Sequence, residues 1–269
     1  SFLLGEAAQF GIYLAYFMAI LLGFSDKAAA AISIIGGADG PTSIFLCGKL
    51  GQTQYMGPIA VAAYSYMSLV PIIQPPIMKL LTTKKERVIH MSETREVPRK
   101  EVLFFPVVGV LLACFTAPSA ISLLGPLFLG NFMKESGVTD RLAKTASNAI
   151  VDFATIFLGC TVGCSTQADV FLNTNSIRIF VLGAIAFSLA TSCGIIFAKI
   201  MNLFMKDKIN PLLGAAGVSA VPGSAREVHL MGLHSDPTNY LLMYGMAANA
   251  SGVIGSAVCA GILWSFFAI

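Results

Sequence analysis

The chain is built from long apolar stretches that are separated by short polar links. Stretches of membrane-spanning length recur at about residues 7–24, 56–81, 101–130, 145–163, 178–203 and 238–268. About 20 apolar residues cross a bilayer as an α-helix, whereas the alternation of a membrane β-barrel is not visible in this sequence. The pattern therefore predicts an all-α polytopic membrane protein.

Composition supports this prediction. Of the 269 residues, 56% are hydrophobic and only 12% are charged, whereas soluble domains carry about 25% charged residues. The mean hydropathy is +0.77. The chain starts at Ser1, almost at once within apolar sequence and without a signal peptide pattern. We therefore expect residues 1–269 to be a single membrane transport domain that is the C-terminal part of a longer subunit.

Basic residues are concentrated in the link at residues 79–101. The positive-inside rule predicts that this basic link is cytoplasmic, in a multi-pass protein of the cell membrane, and its charge does not require nucleic acid as a partner. The links at 134–144 and 199–208 are also basic, whereas 165–175 has no Lys or Arg. If residues 101–130 form a hairpin of two short helices bent near Pro118, all three basic links lie on the same side of the membrane. If 101–130 is one span, the basic links lie on alternating sides. We favour the hairpin.

The sequence predicts structural roles, and not catalytic or metal-binding roles, for the cysteines, the histidines and Asp152. We expect the cysteines to be small buried hydrophobic residues, because no histidine completes a metal site near the closest pair. Asp152 is expected to form a polar contact between helices, and the histidines are expected to be solvated in links. The cysteines are Cys47, Cys114, Cys160, Cys164, Cys193 and Cys259, and the histidines are His90, His229 and His234.

The segment "IIGGADGPTSIF" at residues 34–45 places the lone acid Asp39 in an apolar run. A charge at the bilayer centre costs about 2.5–3.5 kcal/mol on insertion scales. The glycines and Pro41 predict a helix break near residues 36–42, which is tolerated at membrane depth only inside protein or beside a wet cavity. A carboxylate, bared carbonyls and the hydroxyls that follow would suit a small hard cation. The alternative is a buried helix cap.

The segment "NPLLGAAGVSAVPGSAR" at residues 210–226 has a similar pattern, with glycines, Ser219 and a helix-breaking proline. Paired interrupted helices in the two halves of a transporter indicate its binding site. Arg226 follows this second break, either as a fork for a carboxylate or as a residue that snorkels to the interface. Asn249 lies inside the last apolar stretch, where the neighbouring glycines could equally serve helix packing.

These residues alone predict an ion-coupled membrane transporter. Four segments add a resemblance that runs through almost the whole chain: "GGADGPTSIF", "AVAAYSYMSLVPIIQPPIMKLLTTKKER", "NPLLGAAGVSAVP" and "DPTNYLLMYGMAANASGVIGSAV". Together they resemble the β subunit of the sodium-translocating, biotin-dependent decarboxylases, which act on oxaloacetate, methylmalonyl-CoA, glutaconyl-CoA or malonate. The resemblance implies a subunit that decarboxylates carboxybiotin and exports Na+ while consuming a proton.

The resemblance also implies partners and site residues. The partners are a biotinylated carrier protein or domain, a carboxyltransferase α subunit and a small membrane γ or δ subunit, and a homo-oligomer is left open. The implied Na+ ligands are Asp39, Asn210, Ser219 and Asn249. The implied catalytic residues are Arg226, Asp39 and Ser219. Carboxybiotin would contact Arg226 and one of Tyr64 and Tyr66. Structural glycines at the site would be Gly37, Gly40 and Gly214.

The expected architecture consists of inverted repeats with two interrupted helices that meet near the membrane midplane. The sequence "AANASGVIG" around Asn249 departs from the commoner "GPNVAGVIG", so the acyl substrate of the complex is left open. One alternative function is a cation/proton or carboxylate secondary transporter without decarboxylation, and another is a purely structural membrane subunit. Co-purification with a biotinylated protein would separate the first alternative from the decarboxylase.

Overall fold

The computed structural model describes residues 2–92, 95–166, 168 and 172–267. The described residues form helices and no strand. In chain order the α-helices are α1 Phe2–Ala8, α2 Phe10–Leu21, α3 Asp26–Ser33, α4 Gly40–Lys49, α5 Met56–Leu81, α6 Lys84–Arg87, α7 Arg99–Thr116, α8 Ile121–Ser136, α9 Asp140–Thr145, α10 Val151–Ser165, α11 Thr174–Phe204, α12 Gly223–Ser235 and α13 Leu242–Phe267. Short 3₁₀ segments lie at Ile34–Gly37, Thr53–Tyr55, Pro118–Ala120 and Pro211–Gly217, and a π-helical segment at Ala146–Ile150.

Within the described part of the chain, five helical segments are long and apolar enough to cross a membrane. They are Phe2–Leu21, Thr53–Leu81, Asp140–Cys164, Thr174–Phe204 and Leu242–Phe267. These segments confirm the prediction of an all-α polytopic membrane protein, and each overlaps one of the predicted stretches.

The remaining predicted stretch, 101–130, is a hairpin. Helices α7 and α8 pack against each other and are joined through the 3₁₀ turn at Pro118–Ala120. The prediction of two short helices bent near Pro118 is therefore confirmed. The side of the membrane on which each link lies stays a prediction.

The core of the protein surrounds the two interrupted segments. Helices α1, α2, α5, α11 and α13 contact one or both of the 3₁₀ segments at Ile34–Gly37 and Pro211–Gly217. Many of the buried residues there are small, including the fully buried run at residues 28–31, which is four alanines. Lipid provides no hydrophobic drive for helix association, so small residues that allow close van der Waals packing hold such a bundle together.

Helix α10 lies at the periphery, and two predictions fail there. None of the residues in the most apolar window of Asp140–Cys164 is buried. Asp152 is exposed and, among the described residues, forms no hydrogen bond or ion pair, so the expected contact between helices within this chain is wrong. Cys160 and Cys164 on α10 and Cys114 on α7 are also exposed, because both helices turn these side chains away from the core.

The described part of the basic link is folded against the bundle. Thr83 and Glu86 form a capping box at the start of α6. Arg87 donates from Nε to the Thr82 hydroxyl at 2.8 Å, and Lys199 of α11 lies 3.1 Å from Glu86. The link is thus attached to the ends of α5 and α11, which an ordinary solvated loop would not be.

The histidines correct another expectation. His90 is bonded to Asp236 at 2.9 Å. Hydrogen bonds from the Thr238 hydroxyl and N–H, together with His90, lower the pKa of Asp236 to about 2. His229 lies in α12, where its Nδ1 accepts the N–H of Leu241 at 3.3 Å. His90 thus remains an exposed residue of the basic link, as expected, although it is hydrogen-bonded. His229 is not in a polar loop, because the stretch that follows the second break is a helix.

Candidate functional site

The first interrupted segment separates α3 from α4. After the 3₁₀ turn at Ile34–Gly37, Ala38 has a left-handed backbone with φ 55°, and Asp39 is extended. Helix α4 then begins at Gly40, and Pro41 occupies its first turn, where a missing N–H is harmless. The predicted break near residues 36–42 is therefore confirmed.

Asp39 is almost fully buried at this break. One carboxylate oxygen accepts the N–H of Thr42 at 3.0 Å and so caps α4, and the other accepts the hydroxyl of Ser256 at 2.5 Å. The structural alternative, a buried cap, is thus realised. A carboxylate has about four acceptor sites, so this capping role leaves room for a cation. No lysine or arginine among the described residues pairs with Asp39.

The second interrupted segment lies between α11 and α12 and touches the first. It comprises the 3₁₀ segment Pro211–Gly217 and an extended stretch, before α12 begins at Gly223. The N–H of Ser219 donates to the carbonyl of Gly37 at 2.9 Å. The expectation that the two breaks meet is confirmed by this bond, whereas their depth in the membrane and their relation by an inverted repeat stay predictions.

Asn249 of α13 satisfies bared carbonyls of the second break. Its Nδ2 donates to the carbonyls of Ala216 and Val218 at 3.0 and 2.6 Å, and lies 2.8 Å from the hydroxyl of Ser224. The Oδ1 atom of Asn249 is buried and has no hydrogen-bond partner in the described part of the chain. Irregular backbone at membrane depth needs such partners, so Asn249 both stabilises the break and presents a free oxygen.

A cavity of about 820 Å³ opens between the first break, the second break and the α7–α8 hairpin. Its polar lining residues are Asp39, Ser219, Ser251, Asn131 and Lys134, and the remainder is largely apolar. The size falls within the range of about 300–1,000 Å³ that is typical of ligand sites. The two breaks thus share one ligand-sized cavity with a buried acid at its wall.

Asn210 and Arg226 are placed elsewhere. Asn210 is fully buried, caps the second break at Leu212, and donates to the carbonyls of Arg87 and Ile89 at 2.9 and 3.0 Å. Arg226 is exposed on the first turn of α12 and does not line the cavity. The described residues provide no hydrogen bond or ion pair to its guanidinium group.

The two tyrosines of α5 face different neighbours. An added Cβ on Gly40 would lie 3.2 Å from the ring of Tyr64, which places this ring beside the first break. Tyr66 instead donates its hydroxyl to the carbonyl of Phe180, and its ring lies against Gly183 of α11. Tyr64 is therefore the tyrosine that lies next to Asp39, whereas Tyr66 packs α5 against α11.

This difference gives a testable prediction. We expect Tyr66→Phe to lower the free energy of unfolding by about 1 kcal/mol, because a buried hydrogen bond is lost. Tyr64→Phe should leave stability unchanged, because no hydrogen bond of its hydroxyl exists among the described residues. Thermal unfolding of both variants in detergent measures the difference, and equal losses would contradict it.

The three predicted structural glycines are closely surrounded. An added Cβ would lie 2.7 Å from Gln9 Oε1 at Gly37 and 2.0 Å from the carbonyl oxygen of Gly194 at Gly214. Each break thus needs at least one position without a side chain, so that a neighbouring helix can approach it.

Comparison with known proteins agrees with this geometry. The family model described as "Na+-transporting oxaloacetate decarboxylase beta subunit" matches residues 1–267. The chain belongs to this family. The methylmalonyl-CoA decarboxylase subunit beta of Propionigenium modestum is 54% identical over 99% of this chain and 68% of its own length. The oxaloacetate decarboxylase beta chain of Klebsiella pneumoniae is 51% identical over 99% of this chain and 63% of its own length.

Membership in the family and the five membrane-capable helices together identify a multi-pass membrane protein. The beta subunit of Veillonella parvula methylmalonyl-CoA decarboxylase is 52% identical, and the chain covers 70% of it. The chain therefore spans about two thirds of the length of these relatives.

Sequence reasoning missed several polar residues around the breaks. Ser256, which donates to Asp39, lies seven residues after Asn249 and so on the same face of α13, a spacing that could have indicated it. Gln9 and Glu6 are polar residues within the first membrane-capable segment, and both lie against Gly255 of α13. The sequence places Lys134 only in a basic link, because the folding of the hairpin over the first break leaves no local sequence signal.

Proposed function

We propose that the chain is the membrane subunit that decarboxylates carboxybiotin and couples this reaction to Na+ export, with consumption of a proton. The observation that carries the proposal is the meeting of two interrupted helices at one cavity with the buried carboxylate of Asp39. An intramembrane acid with free acceptor sites beside bared backbone suits a cation. Membership in the family supports Na+ as that cation.

The Na+ ion would bind as cargo between the breaks. Asp39 supplies charge, and Ser219 lies on the same cavity. Asn249 has a buried oxygen to which no described residue donates. Such oxygen donors suit a small hard cation. Asn210 would act by fixing the start of the second break, because its amide is already bonded to Leu212 and to the basic link.

The carboxylated cofactor would bind at Arg226, which is exposed on the first turn of α12 outside the cavity. Loss of CO₂ from an N-carboxylated urea leaves an electron pair on nitrogen, which takes up a proton. The guanidinium fork of Arg226, which no described residue occupies, can bind a carboxylate through two charge-assisted hydrogen bonds. Tyr64 borders the first break and would help to orient the ligand, while the apolar wall excludes water.

The proposal requires partners that bring the carboxyl group. A biotinylated carrier protein or domain would deliver it, a carboxyltransferase α subunit would load it, and a small membrane γ or δ subunit would complete the complex. Each of these is a proposal that rests on the family and on the names of the relatives. Co-purification of a biotinylated protein, detected with avidin, tests the first of them.

The function is tested by carboxybiotin decarboxylation in the native complex, with Na+ and with K+ at matched ionic strength. We expect Na+ to stimulate turnover about tenfold or more, since Na+ binding would be needed to complete each cycle. Turnover that is indifferent to Na+ would contradict the coupling. Absence of turnover in an intact, biotinylated complex would favour a secondary transporter without decarboxylation.

A further inference from the structure

Gln9 is a buried amide at the junction of α1 and α2. It is 1% exposed, although it lies in a membrane-capable segment. Its Nε2 lies 3.3 Å from the carbonyl of Gly217, 3.4 Å from the hydroxyl of Ser219 and 3.3 Å from the carbonyl of Gly5. Gln9 lies before the first break in the chain, and it donates hydrogen bonds to the second break.

The Oε1 atom of Gln9 is buried and has no hydrogen-bond partner among the described residues. Exchanging Oε1 and Nε2 would not provide the missing hydrogen bond. The oxygen would then face the carbonyl of Gly217, and neither atom carries a proton. The nitrogen must therefore face the second break, and the oxygen must face away from it. A buried acceptor without a donor is costly and calls for an explanation.

The free oxygen faces the first break. An added Cβ on Gly37 would lie 2.7 Å from Gln9 Oε1, so this oxygen rests against the backbone two residues before Asp39. Glycines of α13 complete the surroundings: an added Cβ would lie 3.0 Å from Gln9 Cγ at Gly255 and 3.3 Å from Nε2 at Gly252. Gln9 thus fits between both breaks and α13.

We propose that Gln9 joins the two breaks into one ion site, with its N–H group fixed on the second break and its carbonyl oxygen presented to Na+. This inference rests on the proposed Na+ site at Asp39. A cation would provide the missing partner for Oε1, and the bond to Ser219 would connect ion binding to the position of the second break.

Gln74 provides a matched control. It is also a fully buried glutamine whose Oε1 has no partner within the described residues, and its Nε2 donates to the carbonyl of Ala215 at 3.1 Å. Its other contact is the hydroxyl of Thr191 on α11 at 3.4 Å, so it contacts the second break only. Substitution of Gln74 should therefore cost stability without changing the affinity for Na+.

The test uses the full-length subunit in its native complex and follows the rise in unfolding temperature with Na+ concentration, which reports binding without turnover. We expect Gln9→Met, which keeps the volume but removes the oxygen, to raise the half-saturating Na+ concentration about tenfold or more. Gln74→Met should not shift the half-saturating concentration.

Failure of this inference can be distinguished from failure of the proposed function. If Gln9→Met binds Na+ like the wild type while Asp39→Asn does not bind it, Gln9 is not a ligand but the site stands. If Asp39→Asn also binds Na+ normally, the proposed site itself is wrong. Should Gln9→Met not fold, Gly255→Ala crowds Gln9 Cγ at 3.0 Å and Glu6 Oε1 at 2.9 Å without replacing a proposed ligand. Unchanged Na+ affinity in that variant would overturn the inference.

Discussion

Asp39→Asn is expected to weaken Na+ binding by the complex about 10-fold or more while leaving the fold intact. Asparagine caps a helix about as well as aspartate, so the bond to the N–H of Thr42 can be kept. The variant removes the one carboxylate that the two breaks enclose with the cavity. An interaction with a charged group is worth about 1.5–3 kcal/mol, so the affinity for Na+ should fall by about 10-fold to 100-fold or more.

The measurement is the half-saturating Na+ concentration for stabilisation and for carboxybiotin turnover. Asp26→Asn is the matched control, because Asp26 lies at the exposed start of α3 in the same segment and is not in the cavity. It should cost no more than the helix-end contribution of about 0.3–1 kcal/mol in stability, with no change in Na+ affinity. A normal Na+ response in Asp39→Asn would refute the assignment.

Gly214→Ala is expected to prevent the second break from packing against α11. An added Cβ would lie 2.0 Å from the carbonyl oxygen and 2.3 Å from the carbonyl carbon of Gly194, and 2.7 Å from the nitrogen of Ile195. All three atoms are backbone, so no side chain can rotate to relieve the overlap. Overpacking of a core costs about 1–3 kcal/mol when side chains can adjust, and we expect the loss here to be about 3 kcal/mol or more.

Unfolding of the purified subunit in detergent measures this loss. Gly159→Ala is the control, because nothing lies within 4 Å of the position that its Cβ would occupy on α10. Alanine is favoured over glycine inside a helix by about 0.5–1 kcal/mol, so this variant should be neutral or slightly more stable. Similar unfolding temperatures for the two variants would show that α11 and the second break do not approach each other as described.

The sequence predicts the membrane helices and the breaks well because both depend on local chemistry. Apolar stretches of sufficient length become spans, and glycines next to Pro41 interrupt a helix wherever the chain goes. The hairpin at Pro118 could also be predicted, since the distribution of basic links favoured it. The resemblance to the decarboxylase β subunits is confirmed by the family match.

The composition of the site is harder to predict, because it depends on which helices meet. Lys134 and Asn131 line the cavity only because the hairpin folds over the first break. The chemistry of Asp152 and of the cysteines of α10 predicts interior positions, but α10 turns these side chains outward. The roles of Asp39, Asn210, Ser219, Asn249 and Arg226 in ion and ligand binding stay predictions.

The central claim is that decarboxylation in this family member moves Na+ through the site between the two breaks. The most direct measurement is the simultaneous recording of CO₂ release and ²²Na+ uptake in proteoliposomes that contain the full-length complex. We expect ²²Na+ uptake that accompanies CO₂ release and stops when avidin blocks the biotin group. Release of CO₂ without any movement of ²²Na+ would contradict it.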